Sequence, residues 1–465
     1  MALPDRDLQA AIAATRFGLG ARPGEIAAAR SDPQGFLADQ IRPEGAEPAL
    51  PEPDLTVARA DQLKTFFDSR SAFVKIKAEV GGKPAEAASD RKAEIAKAIR
   101  AASAGDFLAF ARHGATTPAG FRERWALFWA NHFTVSANSL VTAALAGPYQ
   151  AEALRPRVFG RFADLLLAAE AHPAMLSYLD QAQSVGPNSL LARRNGRRAG
   201  LNENLAREIL ELHTVGARAG YSQSDVTEFA KALTGVSFQR LTDEHAPGRL
   251  VYRRAAHEPG TRRVMGVDYP QSGQEQARAI LADLAAKPQT ASFVCHKIAR
   301  HFVADDPPPS LVERLARAWR ETEGDLAQVA LALTTAPEAW EGEPRKFKTP
   351  YEFMVSAWRA ADEAPSEPRQ LALLTAMGQK PFSPPSPEGW SDASADWATP
   401  DGMIKRLIWT EAFAPRAIGG RDPQALAKAV LGPRLGETTT NAVARAESRA
   451  EAFALLLMSP EFQRR

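Results

Sequence analysis

Residues 116–136 read TTPAGFRERWALFWANHFTVS, and this stretch sets the expectation for the whole fold. The Thr117–Pro118 pair is typical of a helix start, because proline is tolerated in the first turn, where its missing N–H has no intrahelical partner to lose. The aromatic residues and the histidine that follow are spaced so that they share one helix face. They are Phe121, Trp125, Phe128, Trp129 and His132. The stretch therefore predicts a helix that buries an aromatic face.

Other segments repeat these helical signals. The stretch HPAMLSYLDQ (172–181) has proline in its second position, and GYSQSDVTEFAKALTG (220–235) contains a Ser222–Asp225 pair typical of a capping box. Helical periodicity is lost over 236–268, where RLVYRR and TRRVMG are typical of short strands in a small hairpin. Strands and helices do not alternate as they do around a parallel sheet. The sequence therefore predicts a mainly α fold, with one large multi-helical domain and a small β-hairpin insertion.

Three segments are expected along the chain. Residues 1–60 form an N-terminal helix and a proline-rich connector at 43–57, and residues 61–112 form a charged helical segment with a break at 81–84. Residues 113–465 form the helical core, which includes the β element at 236–268 and a proline- and tryptophan-rich loop at 380–400. We expect this loop to be ordered, because Phe382, Trp390 and Trp397 carry too much apolar area to remain in water.

The composition excludes several classes of protein. Lys+Arg 57 against Asp+Glu 55 gives a formal net charge of +2, which argues against a dedicated nucleic-acid-binding protein. The single cysteine, Cys295, excludes an intrachain disulfide framework and a thiol-rich zinc site. No apolar stretch is long enough to span a membrane and no signal peptide is visible, so a cytoplasmic location is expected unless a twin-arginine partner exports the chain.

The segment LNENLAREILELHTVG (201–216) places its polar residues on one face of a predicted helix. At about 100° per residue, five polar side chains fall within an arc of about 140°. The apolar residues and His213 take the opposite side, with Asn202 as the expected N-cap and Gly216 as the expected end. The five polar side chains are Glu203, Asn204, Arg207, Glu208 and Glu211.

This polar face has two interpretations. Arg207 stands four residues from both Glu203 and Glu211, the spacing of ordinary surface ion pairs, which is typical of a solvated helix. The alternative is a functional patch, in which the carboxylates bind a metal ion or transfer protons. Spacing alone favours the solvated helix. His213, on the apolar side, is expected to be a core histidine with a satisfied hydrogen bond.

Composition argues against a solvated face. Asparagine is a poor residue for a helix interior, and an exposed face would gain from lysine or glutamine. We therefore predict that Asn204, Arg207 and Glu208 are largely buried and face the helices that carry His132 and Asp180.

A divalent metal is one cofactor that such a patch suits. Its predicted ligands are Glu208, Glu211 and His132, and Asp180 and His257 are further candidates for the walls of the site. The stretch HKIARH offers a poorer ligand pair. Its His296 and His301 are five residues apart, about 140° around a helix, which is unsuitable for joint ligation.

The aromatic stripe that ends at His132 also has two interpretations. Packing in the core is the ordinary one. The alternative is an aromatic redox site formed by Trp125, Trp129, His132 and Tyr178. A buried imidazole needs a hydrogen-bond partner, and Tyr178 or Asp180 are candidates for that role.

The motifs together resemble one family, the bacterial proteins of domain of unknown function 1800. The polar helix and the GQKPFSPPSPEGW loop are the most specific marks, and the resemblance covers nearly the whole chain. The matching stretches are RFGLGARPGE, FWANHFTVS, HPAMLSYLDQ, NENLAREILELHTVGARAGYSQSDVTEFAKALTG, HEPGTRRVMG, FVCHKIARHFVADDPP, KFKTPYEFMVSAWRA, GQKPFSPPSPEGW and LLLMSPEFQ.

The resemblance implies a mostly helical protein that is often encoded beside a sulfatase-like family (domain of unknown function 1501) with a twin-arginine export signal. Many members have a further histidine within the FW–NHF motif, where this chain has Ala130. This departure puts in doubt a ligand role for position 130 but not for His132.

Three functions follow as expectations. The first is a metal- or carboxylate-dependent enzyme whose site is the polar helix with His132 and Asp180. The second is a non-catalytic partner or escort of the sulfatase-like protein, in which the polar helix is scaffolding. The third is the aromatic redox site. The sequence leaves these alternatives open.

Overall fold

The computed structural model describes residues 3–42, 86–195, 200–239 and 249–465, together with the helical residues 56, 58–60, 63–65 and 68. Side chains of 86–92 and of residue 195 are not part of that description. The predicted connector at 43–57, apart from Thr56, and the predicted break at 81–84 lie outside the described residues, as does most of the charged segment before residue 86.

The chain is mainly α-helical, which confirms the predicted fold class. Many helices begin with the devices seen in the sequence: Ser222 and Asp225 form a capping box, and Pro173 occupies the first turn of its helix. The helices of eight or more residues are Glu86–Thr116, Gly120–His132, Leu140–Pro148, Phe162–Ala171, Gln223–Leu233, Gln274–Ala286, Pro288–Phe302, Pro309–Glu321, Leu326–Thr335, Pro350–Ala360, Pro400–Ala417, Pro423–Leu431, Glu437–Arg445 and Arg449–Met458.

Shorter helical elements connect them. The α-helices among these are Arg6–Ile12, Glu25–Ala29, Pro33–Ala38, Pro173–Tyr178, Leu190–Asn195, Asn204–Glu208, Leu373–Ala376, Ser394–Trp397 and Pro460–Gln463. Ala13–Phe17, Tyr149–Leu154 and Ile209–His213 have π-helical hydrogen bonding. The 3₁₀ turns are Arg155–Arg157, Gln181–Gln183, Arg254–Ala256, Pro337–Trp340, Pro368–Leu371 and Gly432–Arg434. Within the described ranges, no helix is long and apolar enough to cross a membrane.

Both segments predicted as strands form strands, but they do not pair with each other. Val236–Phe238 pairs antiparallel with Leu250–Tyr252, and Arg262–Val264 pairs antiparallel with Val267–Tyr269. The second pair is a tight hairpin in which Met265 and Gly266 both have positive φ. The β element therefore consists of two small strand pairs attached to the helices.

Two large hydrophobic clusters hold together the helices that the structure describes. The first surrounds the aromatic face of Gly120–His132 and includes Trp125, Trp129 and Phe302. The second packs residues of the C-terminal third, such as Phe353 and Trp409, against Leu19 and Ala111. Elements of both clusters, with the 380–400 loop, line a pocket between them. Phe382 and Trp397 of this loop are buried.

Candidate functional site: a pocket beneath the proline- and tryptophan-rich loop

The polar helix of residues 203–211 lies at the surface. Asn204 is exposed, Glu208 is half-buried, and the Arg207 side chain is 37% exposed. The prediction that these three side chains are largely buried is therefore wrong. Leu205, Ala206, Ile209, Leu210 and His213 fill the interface with the core, so the opposite face remains in contact with water.

Side chains of the next helix form hydrogen bonds with Glu203 on the polar face. Glu203 accepts hydrogen bonds from Thr227 at 2.7 Å and Gln223 at 2.8 Å. These hydrogen bonds, that of Thr227 above all, lower the pKa of Glu203 below its ordinary value. Arg207 lies 3.4 Å from Glu203 and 3.5 Å from Glu211. The arrangement resembles an ordinary surface network.

His132 and His213 lie inside the core next to this helix. His132 Nε2 is 3.1 Å from the backbone oxygen of His213, and burial lowers the pKa of His132 well below its ordinary value. His213 Nδ1 lies 2.8 Å from Oε1 of Glu170, a residue on the helix Phe162–Ala171. The structure therefore brings His132 to the helix of the polar patch, but on its apolar side.

The remaining predicted residues do not complete a site there. Asp180 is exposed at a left-handed position with φ 56°, and His257 Nδ1 lies 2.9 Å from the backbone oxygen of Thr234. Glu208 has a raised pKa because of burial, with Glu211 adding to the shift. No group of three or more His, Cys, Asp or Glu side chains in the described part of the chain is arranged to hold a metal ion. The predicted set of His132, Glu208 and Glu211 is therefore not a three-ligand site.

The proposed aromatic redox residues are packed in the first hydrophobic cluster. The ring centroids of Trp125 and Trp129 are 6.1 Å apart, and those of Trp129 and His132 are 5.4 Å apart. Trp125 Nε1 donates to the backbone oxygen of Val158, and Tyr178 packs against the same cluster. These contacts are those of a packed aromatic core.

A different group of residues surrounds the pocket between the two hydrophobic clusters. This pocket has a volume of about 130 Å³. Its walls come from segments far apart in the sequence: the end of helix Gly120–His132, the end of helix Pro288–Phe302, the start of helix Pro350–Ala360, and the 380–400 loop. We call it the loop pocket.

Asn131 holds the loop over the pocket by two hydrogen bonds. Its Oδ1 accepts from the backbone N–H of Trp390 at 2.7 Å, and its Nδ2 donates to the backbone oxygen of the same residue at 2.9 Å. The preceding Gly389 has φ +92°, and a Cβ there would lie 2.6 Å from the backbone oxygen of Asn131. The close approach of loop and helix therefore requires glycine before Trp390.

His301 and Asp392 form a hydrogen-bonded pair in the wall of the loop pocket. His301 Nδ1 is 2.8 Å from Asp392 Oδ1. His301 is 9% exposed, and its Nε2 is buried without a hydrogen-bond partner in the described parts of the chain. Burial lowers the pKa of His301 below its ordinary value, although Asp392 opposes the shift.

The carboxylate of Asp392 is held in its ionised form. Burial raises the pKa of Asp392, but the charge of His301 in its protonated form, the hydrogen bond from that ring and the charge of Lys346 together lower it by more, so that it lies below the ordinary value. Lys346 Nζ also donates to the backbone oxygen of Asp392 and lies 2.5 Å from Asp305. An ionised carboxylate only accepts hydrogen bonds, so the proton of the pair belongs on His301 Nδ1.

Glu352 anchors the opposite side of the loop pocket. Its carboxylate forms ion pairs with Arg124 and, at 3.2 Å, with Arg465. Burial raises the pKa of Glu352, but the two guanidinium groups lower it far more, and the carboxylate is ionised. Arg465 also donates from Nη1 to the backbone oxygen of His301 at 2.6 Å. The ion-pair network thus supports the backbone that carries the imidazole.

Reasoning from spacing missed the His301–Asp392 pair. Spacing within HKIARH relates His301 only to His296, which is exposed on the same helix. The available signal was the match of several separate stretches to one family, since FWANHF, CHKIARH, KTPYEF and the GW loop all contribute residues to this pocket.

Comparison with known proteins gives one result. The model of the family described as "Protein of unknown function (DUF1800)" matches residues 12–464. No curated protein and no solved structure matches the chain. Because the match extends over nearly the whole sequence, from the first helix to the last, the chain belongs to the DUF1800 family.

Proposed function

We propose that the protein is an enzyme that uses the His301–Asp392 pair for general acid–base catalysis on a small molecule bound in the loop pocket. The observation that carries this proposal is the buried imidazole of a residue that lines the pocket: a carboxylate orients it, and its Nε2 has no hydrogen-bond partner among the described residues. An imidazole held in this way is a common general base.

Each member of the pair has a defined task. Asp392 accepts a hydrogen bond from Nδ1–H of His301 and so keeps Nε2 unprotonated. Nε2 takes a proton from the bound molecule, the imidazole becomes cationic, and Asp392 stabilises that cation. The same proton returns to the product, which restores neutral His301 and balances the step.

Two features favour catalysis over a purely structural role. Both members of the pair line the loop pocket. In addition, burial holds His301 neutral at pH 7, the state that a base requires. Activity should therefore be constant above the pKa of His301 and fall as the pH drops through it.

The test is metabolite profiling with the purified protein. Wild type and His301→Asn are incubated with a filtered bacterial metabolite extract, and consumed species are followed by mass spectrometry. We expect at least one metabolite to be consumed by wild type, with a loss of about 10²- to 10⁴-fold in rate for the variant. Asp392→Asn should lose rate as well, because the tautomer of His301 is no longer fixed.

His296→Asn is the matched control, because His296 lies on the same helix and is exposed. It should keep the wild-type rate. Consumption that persists in His301→Asn, or no consumption by wild type under any tested condition, would overturn the proposal.

A second candidate function is binding of the sulfatase-like partner of family 1501. The exposure of Asn204 and the partial exposure of the acidic residues beside it support this candidate, because the polar face is accessible to another protein. In this case Glu203→Lys combined with Glu211→Lys should abolish co-purification of the co-encoded protein. His301→Asn should leave co-purification unchanged.

A further inference from the structure

Two neighbouring helices of the C-terminal third expose a group of apolar side chains, which we call the apolar face. Helix Pro400–Ala417 packs beside helix Arg449–Met458, and the inner sides of both belong to the second hydrophobic cluster. Their outer sides expose four large apolar residues: Ile404, Leu407, Ile408 and Leu455. The other exposed large apolar residues in the described part of the chain belong to different segments: Leu3, Leu190, Leu250, Val267 and Leu331. Contiguous exposed apolar patches mark interaction sites, whereas single exposed residues do not.

The most exposed residues of the apolar face form a ridge. Ile404 and Ile408 are one turn apart and, at about 100° per residue, lie about 40° from each other around the helix. Leu407 lies about 60° to the other side of Ile404, toward helix Arg449–Met458. The ridge therefore projects into water along the first half of helix Pro400–Ala417.

The apolar face continues from the ridge into a groove between the two helices. Leu407 and Ala414 line this groove from one helix, and Leu455 and Met458 line it from the other. The apolar area is therefore continuous across both helices. A surface that presents a ridge next to a groove of the same chemistry can pack against a copy of itself.

The charges on the two helices are balanced in sign. Three acidic and three basic residues of these helices are not buried. They are Asp401, Glu411 and Glu451, and Lys405, Arg416 and Arg449. A strongly acidic or strongly basic partner would meet like charges on such a surface, whereas a second copy brings both signs to it.

Two of these charges are placed symmetrically about the centre of the ridge. Asp401 precedes Ile408 by seven residues and Arg416 follows it by eight, and both side chains are exposed. If two copies of the helix cross antiparallel at Ile408, the start of one lies beside the end of the other. Arg416 of each protomer then lies near Asp401 of the other, which also pairs with Lys405 of its own helix. A two-fold axis repeats this contact at both ends.

We infer that the apolar face is the contact surface of a two-fold homodimer, in which the two copies of helix Pro400–Ala417 cross antiparallel at Ile408. The exposed ridge supplies the apolar contact, and the reciprocal contact of Asp401 with Arg416 sets the direction of the crossing.

The size of the apolar face predicts a weak dimer. Its longer helix has 18 residues and is about 27 Å long, and two adjacent helices are about 20 Å wide. The face therefore measures on the order of 500 Å², less than the roughly 800 Å² per partner of stable complexes. We expect a dissociation constant in the micromolar range.

Sedimentation velocity of the full chain, from low to high micromolar concentration, tests the contact. Wild type should pass from monomer to dimer. Ile404→Asp should raise the dissociation constant at least about tenfold, because it places an unpaired carboxylate in the contact. Leu190→Asp is the matched control, since Leu190 and Ile404 are both 59% exposed, and it should associate like wild type. Monomer at every concentration, association that persists in Ile404→Asp, or growth beyond a dimer would overturn the inference.

Charge reversal tests the antiparallel arrangement. Asp401→Arg and Arg416→Asp should each weaken association, because like charges then face each other at both ends of the contact. The double variant restores opposite charges and should recover the association of wild type. A double variant that associates no better than the single variants would overturn the antiparallel crossing at Ile408.

Discussion

The polar helix and the loop pocket contain the same kinds of residues in different settings. The carboxylate of Glu203 is bonded to Arg207, Gln223 and Thr227, all within 24 positions along the chain. In the loop pocket, the contact between Arg124 and Glu352 joins residues 228 positions apart. One network is built from neighbours in sequence, and the other depends on the complete fold.

The carboxylates of the two networks also differ in burial. The side chain of Glu203 is 30% exposed, whereas that of Glu352 is 6% exposed. Water screens the first carboxylate, so its ion pair contributes little to stability. The second lies where charges interact strongly and where removal of one partner leaves the others uncompensated. Ion pairs between the same residue types are therefore expected to contribute different amounts to stability in the two regions.

Among the substitutions that test this comparison, the largest loss of stability is expected at Glu352. Replacement by glutamine keeps the shape but leaves Arg124 and Arg465 without their counter-charge, which should destabilise the protein by about 3–5 kcal/mol. The matched change Glu203→Gln should lower stability by less than about 1 kcal/mol, because that ion pair is partly solvated. Denaturant unfolding midpoints measure both.

The pH dependence supplies a control for this prediction. Folding lowers the pKa of Glu352 below its ordinary value of 4.5, so its contribution is present above that pH and is lost as the pH falls. The difference between wild type and Glu352→Gln should therefore shrink on acidification. Equal midpoint shifts for the two variants at pH 7 would show that burial does not distinguish the two networks.

The next largest effect is expected at Asn131. Asn131→Leu removes both hydrogen bonds to the backbone of Trp390 and leaves those two part-buried groups without that partner, at about 1–3 kcal/mol in all. The loop should then open locally, and hydrogen–deuterium exchange of peptides from 380–392 should become faster.

Asn204→Leu is the corresponding change on the polar helix. Because Asn204 is exposed, exchange in 201–216 and in the loop should change little. Loop protection that survives in Asn131→Leu would mean that packing of Phe382 and Trp397, rather than the asparagine, holds the loop in place.

The fold was predictable because its signals are local. The spacing of Phe121, Trp125 and Trp129 defines a buried helix face without knowledge of any other segment. Capping at Ser222 is likewise a matter of four adjacent residues. Strand pairing was harder to predict, because the sequence of a strand does not indicate which other segment it will pair with.

The candidate site was much less predictable. The burial prediction relied on asparagine being unfavourable inside a helix, but Asn204 is the first residue of its helix, where that penalty does not apply. For His301, helical spacing indicates only that His296 lies on another face. Its actual partner is Asp392, a loop residue 91 positions later, and no local spacing contains that contact.

The smallest effect, and the one opposite in sign to that at Glu352, is expected at Glu208. Burial and the charge of Glu211 raise the pKa of Glu208, so the folded state favours its protonated form. A carboxyl group with a raised pKa stabilises the fold below its unfolded pKa, and this contribution is lost as the pH rises through the folded value. At pH 7 the ionised Glu208 therefore destabilises the folded state. Glu208→Gln should stabilise the protein by less than about 1 kcal/mol, because water still reaches the half-buried side chain. The gain should vanish below pH 4.5, the ordinary value for glutamate, whereas Glu352→Gln remains destabilising at neutral pH. Thermal unfolding of the two variants between pH 4 and pH 8 measures both trends. A loss of stability for Glu208→Gln at pH 7 would show instead that its carboxylate is engaged by a favourable partner, and would return the polar helix to consideration as a functional site.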